Sequence, residues 1–283
     1  MSDKKTTIAY LGPLGTYTHE AALKFADALG EPDPELIAFT SFDEVFDAVD
    51  RGCATYGVVG KENSLEGPVT ATLDNFAFRS SARILAETVI DIHHCLVCAP
   101  GADISNIKTV ASHSQGLAQC RRYITMNLPG RETMITSSTA QSALVAAGDP
   151  SIAGIANELA ANLHGCKIAA RGIEDHMGNQ TVFALIGRQD SAAQISSDKC
   201  KTSLALFLNA DRSGELNMIL TELAYAGINL TMIQSRPTKQ QLGDYMFFVE
   251  FSGKDTDLAV QTALSCLRLK LREVKVLGSY PLI

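Results

Sequence analysis

Residues 7–30 read TIAYLGPLGTYTHEAALKFADALG, and the order of patterns inside them sets the fold class. An apolar strand runs into the turn Gly12-Pro13-Leu14-Gly15. Thr16 and Thr18 then stand ahead of a helical pattern in which Ala22, Leu23, Phe25, Ala26 and Leu29 recur on one face. The turn lacks the Lys and Ser/Thr of a P-loop and does not match the dinucleotide fingerprint. Free N–H groups at such a helix start can still receive a carboxylate.

The unit repeats along the chain. Residues 35–60 (ELIAFTSFDEVFDAVDRGCATYGVVG) predict strand, a helix capped by Thr40 or Ser41, and a buried strand. Residues 83–101 (RILAETVIDIHHCLVCAPG) are strand-like. Residues 108–128 and 132–149 each predict strand, hydroxyl-bearing turn and helix, with Ser112, His113, Ser114 and Gln115 in the first turn and Ser137, Ser138 and Thr139 in the second. Residues 151–173 add another strand and helix. Such alternation up to about residue 187 means an α/β domain with largely parallel sheets, and ligands of such folds lie beyond the carboxyl ends of the strands. Two lobes with a site between them are expected.

Composition bounds the function. A chain of 283 residues with 46% hydrophobic and 19% charged residues supports more than one packed core, and no apolar run approaches the ~20 residues that span a bilayer. The start, MSDKKTTIAYLG, lacks the apolar stretch and cleavage site of an export signal, so a cytoplasmic location is expected. A net charge of −7 without a Lys/Arg block argues against nucleic acid or a membrane surface as partner. The seven cysteines are scattered, as reduced thiols are. In HHCLVC, Cys95 and Cys98 are three apart in a strand and face opposite sides, so no metal is expected there.

Polar groups gather at the ends of the predicted strands. Residues 173–183, IEDHMGNQTVF, bring carboxylates, a His, an Asn and Thr181 against the apolar run beginning at Phe183. Residues 61–66 bring Lys61, Glu62, Asn63, Ser64 and Glu66 together after another strand. The hydroxyls at the helix starts can serve as caps or share their donors with an anion.

A boundary follows. Residues 186–203 are polar, rich in Ser and Gln, and without period, so residues 1–188 form one unit, 189–200 a linker and 201–283 a second, smaller unit. The second unit reads strand, helix, strand, strand, helix, strand: a ferredoxin-like split sheet.

Several separated stretches agree with one family. LGPLGTYTHEAA, GVVGKENSLEGPV, SHSQGLAQC, SSTAQSA, GNQTVF, AGINLTMIQSRP and YMFFVE together resemble a bacterial prephenate dehydratase with a C-terminal ACT regulatory domain. The resemblance implies a two-lobed, periplasmic-binding-protein-like catalytic domain with an interlobe cleft, joined to an α+β ACT domain. It implies decarboxylative dehydration of prephenate to phenylpyruvate in phenylalanine biosynthesis, with no metal or other cofactor, under feedback control by L-phenylalanine. It implies catalytic roles for Thr181, Asn63, Ser64 and Gln115, and substrate binding by Ser112, Ser138, Thr139, Thr16 and Phe183. An effector site would use Gly214, Glu215, Leu216, Asn217, Asn229, Leu230, Gln234, Ser235, Arg236 and Pro237, and ACT domains would pair into a dimer or tetramer.

Two departures stand out. Val182 replaces the Arg that follows the family's catalytic Thr, and Gly60-Lys61 replaces Pro-Ile before Glu-Asn-Ser. One cation is lost and one gained, so Lys61 is expected to supply a positive charge to the carboxylate site in place of the Arg. Asn217 and Gln234 also depart from the effector motifs. A relative that uses arogenate or decarboxylates without aromatising, and a non-catalytic amino-acid sensor, remain alternatives.

Overall fold

The computed structural model describes residues 5–31, 33–210, 212–239 and 244–283. Residues 1–4, at the head of the stretch read against export, lie outside them. The first lobe comprises β1 (Thr7–Leu11), α1 (Tyr17–Ala28), β2 (Glu35–Phe39), α2 (Phe42–Asp50), β3 (Tyr56–Asn63), β4 (Gly67–Pro68), α3 (Thr70–Asp74) and β5 (Arg83–Asp91). The second holds β6 (Cys95–Cys98), β7 (Thr109–Ser112), α4 (Ser114–Gln119), α5 (Arg121–Asn127), β8 (Glu132–Ile135), α6 (Thr139–Gly148), β9 (Ile152–Ala156), α7 (Glu158–Leu163) and β10 (Lys167–Arg171). The chain then returns to the first lobe as β11 (Gln180–Gly187).

Each lobe is built on one sheet, ordered β2-β1-β3-β11-β5 and β10-β6-β9-β7-β8. Where strand–helix units repeat, pairing is parallel, as in β1 with β2 and β3 and β7 with β8 and β9. Where the chain crosses between lobes it is antiparallel: β11 lies between β3 and β5, and β6 between β9 and β10. The sheets are therefore mixed, because a strand returning from the other lobe enters from the opposite end.

The stretch read as one strand over 83–101 is cut at Ile92–His94, where the chain passes between sheets. Within β6, Cys95 packs in one core cluster and Cys98 in another, as the alternation of strand side chains requires.

Local signals explain the helices that border the cleft. Thr16 caps α1 by accepting from the His19 N–H at 3.2 Å, and Ala21, Ala22, Phe25 and Ala26 bury one face against β1 and β3. Ser138 caps α6 by accepting from the Gln141 N–H at 3.0 Å. The lobes touch behind the cleft at Gly15, φ +87°, where a Cβ would lie 3.0 Å from Ala160 of α7. Only glycine combines that backbone with that approach.

Residues 200–283 form β12 (Cys200–Phe207), α8 (Glu215–Tyr225), β13 (Leu230–Pro237), β14 (Tyr245–Ser252), α9 (Leu258–Lys270) and β15 (Glu273–Pro281). Their sheet order, β13-β14-β12-β15, is the ferredoxin-like arrangement expected. One face packs under α8 and α9 through Leu204, Leu206, Val249 and Phe251. The other joins the first lobe in a shared core of Phe248, Leu277 and Tyr280 with Val59, Phe76 and Ile84. The Ile283 N–H donates to the Glu87 carbonyl at 2.9 Å, so the chain end lies along β5. Even the polar connecting segment is anchored, with Ala193 and Ile195 against the first-lobe core and the Tyr56 hydroxyl donating to the Ala192 carbonyl.

Candidate active site

The lobes enclose a cleft of about 720 Å³, at the carboxyl ends of β1, β3 and β7 as the repeats imply. Thr16, Asn63 and Thr181 line it from the first lobe; Gln115, Ser138 and Thr139 line it from the second. Thr181 and Asn63 are paired across β11 and β3. Asn63 Oδ1 accepts from the N–H groups of Leu65 and Glu66, each at 3.0 Å, which orients its amide. Its Nδ2 then donates to Thr181 Oγ1 at 2.9 Å and to Asn179 Oδ1 at 2.8 Å. An amide nitrogen cannot accept, so Thr181 receives that bond and keeps its own proton for whatever occupies the cleft.

Four expected site residues stand elsewhere. Ser112 is fully buried and donates to the Ile155 carbonyl at 2.9 Å. Phe183 belongs to the first-lobe core. Ser64 is exposed beside the cleft, where its hydroxyl accepts from the Gln180 N–H at 2.9 Å.

Lys61 is the fourth, and its placement overturns the expected compensation for the missing Arg. The expectation rested on Lys61 standing with Asn63 after a strand and on its charge replacing that of the Arg. Thr181, Val182 and Phe183 instead pair with Asn63, Glu62 and Gly60, leaving Lys61 as the extra residue of a β-bulge. Its side chain points away from the cleft into the interface with residues 200–283 and is 3% exposed. There its ammonium meets Glu87, Glu250 Oε1 at 2.8 Å and the Tyr280 hydroxyl at 3.2 Å. Lys201 reaches Glu87 Oε1 at 2.6 Å, and Ser203 bonds Glu250 and Tyr280. Burial opposes the charge on Lys61, but Tyr280, Glu250 and Glu87 raise its pKa above the ordinary lysine value. Burial likewise pushes the Glu87 carboxyl up, and Lys61 and Lys201 outweigh it and hold it below its usual range.

Among the described residues, the cleft lining carries no Lys, Arg, Asp or Glu. Val182 lies between Glu62 and Val89 and does not line it. An anion entering would meet neutral hydroxyls, amides and the capped starts of α1 and α6. The titratable lining groups are Tyr17, His94 and His113. Burial pushes the Tyr17 phenol up and the His94 imidazole down, so both stay neutral near pH 7.

His94, Gln119, Asn179 and Tyr17 were not singled out as site residues from the sequence, yet all line the cleft. His94 and Asn179 sit on the two segments that cross between lobes, and Glu174 ties those crossings by accepting from the His94 N–H at 2.9 Å and pairing with His93 at 2.8 Å. They lay inside the stretches GTYTHE, HHC, GLAQC and GNQTVF, but nothing there marked them apart from neighbours.

In the second unit, Gly214, with φ +95°, precedes α8; Glu215, Leu216 and Asn217 form its first turn, and Gln234, Ser235, Arg236 and Pro237 end β13. Asn229 and Leu230 stand at the start of β13. Arg236 pairs with Asp74 of the first lobe at 2.6 Å.

The family model for prephenate dehydratase matches residues 8–191, and that for the ACT domain residues 203–265. A bifunctional chorismate mutase/prephenate dehydratase of Aquifex aeolicus is 40% identical over 279 residues, 99% of this chain and 74% of that protein. A crystal structure of prephenate dehydratase from Arthrobacter aurescens in complex with L-Phe is 36% identical with a TM-score of 0.87, over 98% of this chain and 90% of that one. A structure described as a novel type of quorum-quenching acylase is 26% identical with a TM-score of 0.85, over 98% of each chain.

Proposed function

The chain belongs to the prephenate dehydratase family, and from that premise we infer that its interlobe cleft converts prephenate to phenylpyruvate. The protein is a lyase. The fold alone does not choose the reaction, since a protein described as an acylase shares it, so the cleft residues must. The observation that carries the reading is the bond from Asn63 Nδ2 to Thr181 Oγ1, which leaves the threonine proton free to face a leaving hydroxyl.

The reaction consumes one proton: the prephenate dianion and H⁺ give phenylpyruvate, carbon dioxide and water. The ring carboxylate departs as CO2, its bonding electrons aromatise the ring, and the C–O bond breaks. Thr181 donates to the departing oxygen so that it leaves as water, and its proton is restored from solvent. A hydroxyl is too weak an acid to protonate the oxygen ahead of cleavage, so Thr181 acts as a positioned donor in step with C–O scission. Gln115, Ser138 and Thr139 supply neutral donors to the two carboxylates, and lobe closure holds the diene between them.

Residues 201–283 act as an ACT regulatory unit with L-phenylalanine as effector, at the start of α8 and along β13. A second copy would add at the free edge of β13, where Ile233 is exposed. No described helix is long and apolar enough to cross a membrane. A cytoplasmic setting fits the seven unpaired cysteines.

Turnover of prephenate by the wild type and Thr181→Ala, followed as phenylpyruvate, tests the assignment. Thr181→Ala is expected to lower kcat by roughly 10²–10³-fold with a smaller change in KM. A variant that keeps wild-type kcat removes Thr181 from the chemistry. Product from arogenate but not prephenate would reassign the substrate, and binding of phenylalanine without turnover of either would favour a sensor.

A further inference from the structure

Beyond Thr181 and Asn63 the cleft contains a hydrogen-bond chain with one direction only. The backbone donors of Leu65 and Glu66 fix the Asn63 carbonyl, so its Nδ2 faces Asn179 Oδ1. Ser64 sets the same end: its oxygen accepts from the Gln180 N–H and its proton faces Asn179 Oδ1 at 3.5 Å. Asn179 must therefore turn its Nδ2 toward Gln119, whose Oε1 accepts it at 3.5 Å. That same oxygen lies 2.8 Å from His94 Nε2, and two acceptors cannot share a bond, so His94 carries its proton on Nε2. His94 Nδ1 is then an acceptor that receives no bond from Tyr17, because the hydroxyl 3.4 Å away gives its one proton to the His93 carbonyl at 2.6 Å.

The direction carries one cost. Gln119 Nε2 is buried without a partner. Turning the amide over would set that nitrogen against Asn179 Nδ2, donor against donor, and break the chain at its centre.

We propose that His94, Gln119 and Asn179 are positioning residues for the dehydration: their chain holds Asn179 Oδ1 where it takes one N–H of Asn63, so that the amide oriented by the Leu65 and Glu66 backbone delivers its other N–H to Thr181. The chain joins both crossings to α4 of the second lobe, so the placement of the Asn63 donor at Thr181 is coupled to that lobe. His94 itself exchanges no proton with substrate. It holds Gln119, which holds Asn179, and a neutral imidazole suffices, in line with the way burial lowers its pKa.

The proposal rests on the dehydratase reading, and its test has two arms so that the two can fail separately. The first arm needs no turnover: nitrogen NMR of the full chain labelled at histidine nitrogens, with His94→Gln assigning the signals. A neutral His94 protonated on Nε2 is expected near pH 7; protonation on Nδ1 alone, or an imidazolium at that pH, overturns the chain direction. The second arm is kinetic. His94→Leu and Gln119→Leu are expected to lower kcat for prephenate about tenfold with KM nearly unchanged, while His94→Gln, which retains a donor toward Gln119, recovers most of the loss. Wild-type kcat in a folded His94→Leu overturns the positioning role. If the wild type makes no phenylpyruvate, the dehydratase reading fails, and the NMR arm still decides whether the chain exists.

Discussion

Lys61 and Asn63 are separated by one residue of β3 and belong to regions that solve opposite electrostatic problems. Asn63 faces a cleft that must receive a dianion, and the lining there offers neutral hydroxyls and amides. Lys61 faces an interface where Glu87 and Glu250 are 2% and 3% exposed and water does not reach. In the Lys61 cluster each charge has an opposite charge beside it, brought by the protein itself. In the cleft the charge arrives with the ligand. Fixed dipoles there avoid holding an unpaired cation when the site is empty, whereas the buried cluster is never without its partners.

Replacing Lys61 by Met should separate the two regions most strongly. It leaves the Glu87 and Glu250 carboxylates buried without their shared cation, and loss of one partner from a buried ion pair costs about 3–5 kcal/mol. Equilibrium unfolding should show that drop, while KM for prephenate in the folded fraction stays at the wild-type value. A raised KM with unchanged stability would return Lys61 to the substrate site and break the contrast.

Acid should act on the interface through Glu87. The Glu87 carboxyl titrates below its ordinary range, so its pairing contributes stability fully present above the unfolded value of about 4.3 and lost as pH falls through the folded one. Lys61 is shifted upward, so its contribution holds through neutrality and is lost only in strong alkali. The gap in Tm between wild type and Glu87→Gln should be flat across neutral pH and close as the solution is acidified below about pH 4. A gap that changes between pH 6 and 8 would assign the effect to another group.

The smallest effect should come from restoring the family's Arg. Val182 neighbours Glu62 and Val89 outside the cleft, so Val182→Arg places its guanidinium near Glu62 on a partly exposed face. A surface pair there is worth about 0–1 kcal/mol, and KM should move by less than about threefold. A large fall in KM would show that the longer side chain reaches the substrate and that the lining is short of a cation.

Much of the site was legible because its residues are local to strand ends. Asn63, Gln115, Ser138, Thr139 and Thr16 stand at a strand end or a helix start, where strand–helix units deliver positions to one edge, and Thr181 begins β11, which runs antiparallel to β3 and so starts at that same edge. Ser112, at the end of β7, and Phe183, within β11, lie elsewhere for a simple reason: a strand residue points to one face or the other according to register, which one sequence does not show. Lys61 lies elsewhere because nearness in sequence and a charge count do not give the direction of a side chain, which here a bulge and the buried carboxylates of Glu87 and Glu250 set. His94, Gln119 and Asn179 escaped because their roles depend on one another across the lobes, and no spacing along the chain encodes that.

The sequence by itself determined the strand–helix repeats, the polar connection and the split-sheet unit, since periodicity and capping act over a few residues and survive without neighbours. The tertiary structure decided which way each polar group points. Direction is set by partners far apart in the chain: Leu65 and Glu66 orient Asn63, Asn179 orients Gln119, and Glu87, Glu250 and Tyr280 claim Lys61 from three strands of two sheets. A hydrogen bond or buried ion pair has no meaning until both ends are placed, and only the folded chain places them.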